Sequence, residues 1–176
     1  MVVSVELKHV FKYPLQFVVN THLNKYPNEK DGLVHRVETI ERKIDWIKGI
    51  DYRRRLAFCE NVVPHVLRKM KILNEEQVVL EEQAWLDLDS GQMDIKSRNV
   101  TWSKYADMFE ESRFAKAVDN PHWTQFEQHG YINIRFLGPL GKVLEMFAGK
   151  FLHVGAQKAL RVMEELLHER CSRSET

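Results

Sequence analysis

Apolar and polar residues alternate from the start of the chain. Val3, Val5, Leu7, His9 and Phe11 fall on one side of a period-two pattern, which predicts a strand. Pro14 can open a helix, because its missing N–H has no helical partner there. Leu15, Val18, Val19 and His22 then recur at helical spacing. Pro27 disfavours helical geometry at Tyr26, so that helix should stop near Lys25, with the turn at 28–32. Residues 33–46 and 50–60 read as paired strands turning near Lys48-Gly49. In 61–71 the strand pattern breaks, and Val63, Val66, Leu67 and Met70 share one side of a short predicted helix. Strand signals return at 77–88, followed by the turn-forming DLDSGQ. Further strands are predicted at 92–102 and 104–116, joined tightly near Ser103. After the turn DNPHW comes a strand at 123–137, where Ile132, Ile134 and Phe136 alternate with Asn133 and Arg135.

Gly138-Pro139 ends the sheet region, and from Leu140 to about Cys171 the period changes. Leu144, Phe147, Phe151, Val154, Ala159, Met163 and Leu166 step at three to five residues. They predict one amphipathic helix of about 30 residues, or ~45 Å. The order implies an α+β fold: a curved antiparallel sheet of about seven strands gripping a long C-terminal helix. Residues 1–171 read as one domain and 172–176, SRSET, as a loose tail. Such a grip leaves room for a cavity between sheet and helix, although cores are normally filled.

Composition narrows the function classes. The chain has 176 residues, 44% of them hydrophobic and 29% charged, with a net charge of +1. That charge gives no broad field for nucleic acid, so any anion site must be local. Cys59 and Cys171 have neither CxxC spacing nor a disulfide framework and read as free thiols. No apolar run approaches the ~18 residues of a membrane span, and the N-terminus resembles neither signal nor transit peptide.

No catalytic pattern emerges. The eight histidines form no HxxxH or HExxH pair, so no metal is expected. Glu81 and Glu82 are adjacent on a strand and must face opposite ways. With no GxSxG elbow and no glycine-rich phosphate loop, a non-enzyme without a cofactor is expected.

An ordered series of motifs resembles one known family. It consists of HVFKYP, LNKYPNEK, VETIERKID, YRRRL, NVVPHVLRKM, LEEQAWLDLDSGQM and the helix FAGKFLHVGAQKALRVMEELL at 147–167. Together they resemble the PRELI-domain family of mitochondrial lipid-transfer proteins over about residues 1–170. The resemblance implies a helix-grip fold with a tunnel for one phospholipid. It implies residence in the mitochondrial intermembrane space and a small helical partner there with twin cysteine motifs. The cargo it implies is phosphatidic acid or phosphatidylserine, moved between two membranes. The alternative is a non-transporting regulatory module of the same fold.

A carrier must solve two problems. Exposing about two dozen methylenes to water costs on the order of 20 kcal/mol, so the chains need an apolar sheath. A buried phosphate needs a cation or several donors. Lys25 stands at the basic position of the family's (R/K)YPN element, although a helix C-terminus favours a cation in any case. Among the three consecutive arginines, Arg53 and Arg55 share a strand face with the small Ala57 and Cys59. Arg55 matches a pocket arginine of the family; the competing reading is a solvated edge. Lys150, one turn from Phe147, matches a third basic position and competes with a plain surface lysine. Lys158 lies one residue from a further basic position and is not included. Val62, Val63, Pro64, Leu67, Lys69 and Met70 fall in the segment that resembles the family's lid and would touch a membrane transiently. The competing reading there is a short helix packing its apolar side into the core. Two departures make the pocket less cationic and leave the choice of head group open. Cys59 and Val62 stand near positions where basic residues are usual, and Glu29 replaces a common proline.

Overall fold

Seven strands form one antiparallel sheet in the computed structural model, which describes residues 2–135, 138 and 141–174. The strands are β1 (Val2–Phe11), β2 (Val34–Asp45), β3 (Ile50–Glu60), β4 (Gln77–Asp87), β5 (Met93–Asn99), β6 (Ala106–Lys116) and β7 (Thr124–Ile134). Their order is β1-β7-β6-β5-β4-β3-β2, a meander from β2 to β7 with the first strand added beside the last. The helices are α1 (Leu15–Asn24), α2 (His65–Arg68) and α3 (Gly141–Ser174).

The alternation is honoured along β1, whose odd-numbered residues turn inward and end on the buried Phe11. The edge strand β2 carries two register irregularities and a row of exposed charges, which guards its free side against pairing with another chain. Helix α3 crosses the concave face and packs on β1, β7 and α1. Gly149 permits a close approach, since a Cβ there would lie 3.2 Å from Val3 Cγ1. Polar ties fix the C-terminal half of α3. His9 meets Glu164 at 2.7 Å, Lys30 meets Glu169 at 2.7 Å, and Arg170 donates to Thr21 Oγ1 at 2.7 Å.

Apolar packing is split in two. One cluster joins Phe11, Leu15, Val18, Phe114 and Phe126 to Met163 and Leu167 in the C-terminal half of α3. The second joins Val63, Leu67 and Leu73 to Leu144 near the other end of that helix. Space is left between the two plugs.

Several element boundaries differ from the sequence pattern. The connection from β5 to β6 is a run of turns over 100–105, in which Trp102 adopts φ 63° and packs under the second cluster. Only one turn of α helix forms within 61–71, followed by a 3₁₀ turn at Lys71–Leu73. Asn61, 1% exposed, explains this. Its amide donates to the carbonyls of Leu73 and Glu75 at 2.9 and 2.8 Å and its Oδ1 accepts from Val63 N at 3.0 Å. Side-chain bonds of this kind replace the helical ladder. Helix α3 takes in Ser172 and Arg173 and ends at Ser174, inside the segment expected to be a tail. Phe136, Pro139 and Leu140, used above to place the end of β7 and the start of α3, lie outside the described residues.

Candidate functional site

Between the two apolar plugs lies a cavity of about 420 Å³, walled by the concave sheet face and by α3. Its size falls in the range of about 300–1,000 Å³ typical of ligand cavities. Most of the wall is apolar. Phe147, Phe151 and Leu152 come from the helix, Met108 and Ile132 from the sheet, and Val62 and Val63 from the segment after β3. One region is polar, where the C-terminal end of α1 meets β4, β6 and the turn at 28–32.

Lys25 faces this region from the residue that caps α1. Asn28 shapes the turn behind it by donating to Lys25 O at 2.8 Å and accepting from Asp31 N at 2.9 Å. The Lys25 ammonium lies 4.8 Å from the centre of the Tyr26 ring. Burial lowers its pKa from the usual lysine range, while Glu82, Glu110 and Asp31 pull the other way. Among the described residues no carboxylate forms an ion pair with it within 4.0 Å, and a desolvated, unpaired cation suits an incoming phosphate.

Arg55 points inward as its strand parity requires and is 9% exposed, but it does not line the cavity. Its Nε donates to Glu82 Oε1 at 2.9 Å and its Nη1 to Leu23 O at 2.9 Å. It therefore neutralises Glu82 and closes the end of α1. Burial would raise the Glu82 carboxyl, but His22 and Arg55 on either side hold it down to about 2. His22, 3.7 Å from Glu82, is lowered to about 4 by burial with Lys25 close by. Its Nε2 is buried without a hydrogen-bond partner.

Lys150 is exposed on α3 and takes no part in the cavity wall. Lys158 does, and its Nζ donates to Asp31 O at 2.8 Å. Helical phase could have found it, because Lys158 stands seven residues after Phe151 and so on nearly the same side of the helix. Glu110, Ser112 and Gln128 were also missed. The alternation Met108, Glu110, Ser112, Phe114 already placed them on one strand face.

The segment expected to be a lid lies at one end of the cavity. Val62 and Val63 line it, while Val63 and Leu67, 8% and 6% exposed, pack against Leu144. Met70 joins the same cluster from its edge. Pro64 and Lys69 face solvent, as does Val66, which is 70% exposed. Among the described residues no three His, Cys, Asp or Glu side chains stand close enough to hold a metal ion, and no helix is long and apolar enough to cross a membrane.

Comparison with known proteins agrees with this architecture. The PRELI-like family matches residues 16–173. UPS-like protein C36.10 of Schizosaccharomyces pombe (strain 972 / ATCC 24843) is 32% identical over 95 residues, 54% of this chain. The match spans about half (50%) of that relative's length. Among solved structures, the Zhui aromatase/cyclase from Streptomyces sp. R1128 has a TM-score of 0.60 at 13% identity, covering 100% of this chain and 97% of that one. A START superfamily protein from Mycobacterium smegmatis has a TM-score of 0.57 at 12% identity, covering 94% and 97%. At such identities the two structures show the fold alone, a helix-grip sheet closed over a C-terminal helix. With the family match running from the first helix to the end of the last, this chain belongs to the PRELI-like family.

Proposed function

We propose that the protein carries one anionic phospholipid, phosphatidic acid or phosphatidylserine, between mitochondrial membranes. In this reading it works in the intermembrane space beside a small helical partner with twin cysteine motifs. Family membership and the helix-grip fold support lipid binding. The observation that carries the reading is the cavity itself: an apolar wall for acyl chains, with the Lys25 ammonium at its polar end. Binding is favoured over catalysis. Cys59, the thiol on the wall, is pushed up to about 11 by burial and by Asp31, so it stays protonated and weakly nucleophilic.

The test is phospholipid extraction and liposome-to-liposome transfer by the Lys25→Met variant. A charge-assisted contact to a buried group is worth about 1.5–3 kcal/mol, so binding should fall about 10- to 100-fold. Removing a desolvated ammonium should leave thermal stability unchanged or higher. Undiminished binding would remove Lys25 from the site. Binding without transfer by partner-loaded protein would favour the regulatory module.

Membrane contact by the covering segment needs its own variant. Because Val63 and Leu67 are buried, replacing them by Asp would unpack the cavity's end and say nothing about docking. Val66 is the exposed apolar side chain of α2. A valine inserted into a bilayer interface contributes roughly 1.5 kcal/mol, so Val66→Asp should weaken association with anionic liposomes about tenfold or more. Its melting temperature should not change. Equal liposome binding would rule out docking through α2.

A further inference from the structure

Most charges inside the cavity are matched against one another. Asp31 answers Lys158, with Oδ1 3.7 Å from Nζ. Glu82 answers Arg55 and His22. Glu60, at the rim, is exposed to water. Two opposite charges remain, Lys25 and Glu110. Among the described residues neither has an ion-pair partner within 4.0 Å, and they do not close on each other.

The surroundings of Glu110 keep it that way. On β6 it stands opposite Ser97 of β5 and Gly130 of β7, so its cross-strand neighbours are a small residue and one with no side chain. Neither neighbour can supply a counter-charge. Ser112 and its strand partner Gln128 line the same wall, two residues along β6. An ionised carboxylate has about four acceptor positions, so Glu110 can accept from a ligand, whatever these two side chains donate. Burial raises its pKa above the usual carboxylate range, although Gln128, Ser112 and Lys25 oppose the shift. Both unmatched groups are thus desolvated, and a single ligand bearing the two complementary charges would relieve both.

Building on the carrier reading, we infer that Lys25 and Glu110 are the phosphate and ammonium subsites of one head-group site. The preferred cargo is then a phospholipid whose head carries a primary ammonium beyond its phosphate. Glu110 is its specificity-determining residue. A serine or ethanolamine head supplies both charges in series. The bare phosphomonoester of phosphatidic acid supplies only negative charge and meets Glu110 as a like charge. The polar region favours this as well: counting Arg55 behind Glu82, three cationic side chains face three carboxylates besides Glu60 at the rim, leaving no surplus for a dianion.

The experiment is extraction by the purified protein from liposomes containing equal parts of phosphatidylserine, phosphatidylethanolamine, phosphatidylcholine, phosphatidylglycerol and phosphatidic acid, read by mass spectrometry. The unmodified protein should take the serine and ethanolamine lipids at least about tenfold over the glycerol lipid and phosphatidic acid. Phosphatidylcholine has a quaternary ammonium that cannot donate a hydrogen bond, and it should be left behind. Glu110→Gln should reduce the preference to within about twofold by losing the amino lipids, whereas Lys25→Met should lose every class alike. Phosphatidic acid or phosphatidylcholine taken as readily as phosphatidylserine would overturn the inference even if Glu110→Gln failed to fold. So would a preference that survives in that variant. Extraction without discrimination would overturn this inference alone; no extraction of any phospholipid would overturn the carrier reading with it.

Discussion

Replacing Gly155 with Phe is expected to give a protein that melts higher than its parent and carries at least about tenfold less phospholipid. Gly155 lies within α3 and lines the cavity, and a Cβ built on it meets nothing within 4 Å. Filling that position removes a glycine from a helix, which contributes about 0.5 kcal/mol. It also buries an aromatic ring against an apolar wall, adding roughly 1.5–3 kcal/mol less its lost rotamer freedom. The same ring then occupies the space an acyl chain would take. Melting should be compared on delipidated protein, since bound lipid stabilises the parent by mass action. Gly149 is the contrasting case on the same helix. Its Cβ would press to 3.2 Å on Val3 Cγ1, so Gly149→Phe should lose stability along with binding. Full lipid uptake by a stabilised Gly155→Phe protein would mean that the cavity between sheet and α3 is not where the chains lie.

The fold was largely legible because each strand buries one face. Period two in β1 and the change to period 3.6 after β7 mark out a sheet and a single helix laid across it. What local pattern cannot contain is the replacement of backbone hydrogen bonds by a side chain. Residues 63, 66, 67 and 70 carry a helical stripe, yet only one turn forms, because Asn61 reaches 12 residues along to Leu73 O. Val66, placed on the same side as Val63 and Leu67, ends in solvent while those two are buried.

The site was legible by parity and less so by partner. Strand alternation set Arg55 on one face with Ala57 and Cys59 and separated Glu81 from Glu82, and the structure keeps both: Glu81 pairs with Arg98 on the outer face, Glu82 with Arg55 on the inner. What Arg55 meets depends on the β3–β4 register, which sets Arg55 opposite Glu82 across 27 residues of chain. Nothing within YRRRL marks that arginine as already neutralised. Lys150 and Lys158 differ by helical phase, so alignment to a family position misled where the periodicity of Phe147 and Phe151 would not have. Glu110 and Ser112 interrupt the apolar strand face between Met108 and Phe114, and such an interruption is itself a signal of function.

Glu82→Ala is expected to destabilise the protein by about 3–5 kcal/mol, the usual cost of stranding one member of a buried ion pair. Arg55 would keep only Leu23 O, and His22 would lose its neighbouring anion. The pH dependence follows from the two shifts. Glu82 is held down to about 2, so its contribution is complete above the unfolded value near 4.5 and is lost as pH falls toward 2. His22 is lowered to about 4, so the unfolded chain takes up a proton first below about 6.5 and acid favours unfolding there too. Urea denaturation should therefore show the parent weakening from about pH 6.5 downward. The gap between parent and Glu82→Ala should narrow below about pH 4.5, where the parent's own carboxylate begins to lose its advantage. A gap independent of pH would mean that packing, not charge, accounts for the loss. The paired variant Glu82→Leu with Arg55→Met then separates the two roles open to Arg55. If the pair serves only to join α1 to the sheet, an apolar replacement of similar volume should restore most of the stability, and lipid uptake should return with it. A refolded double variant that still takes up no lipid would put the Arg55–Glu82 pair back among the groups that hold the head.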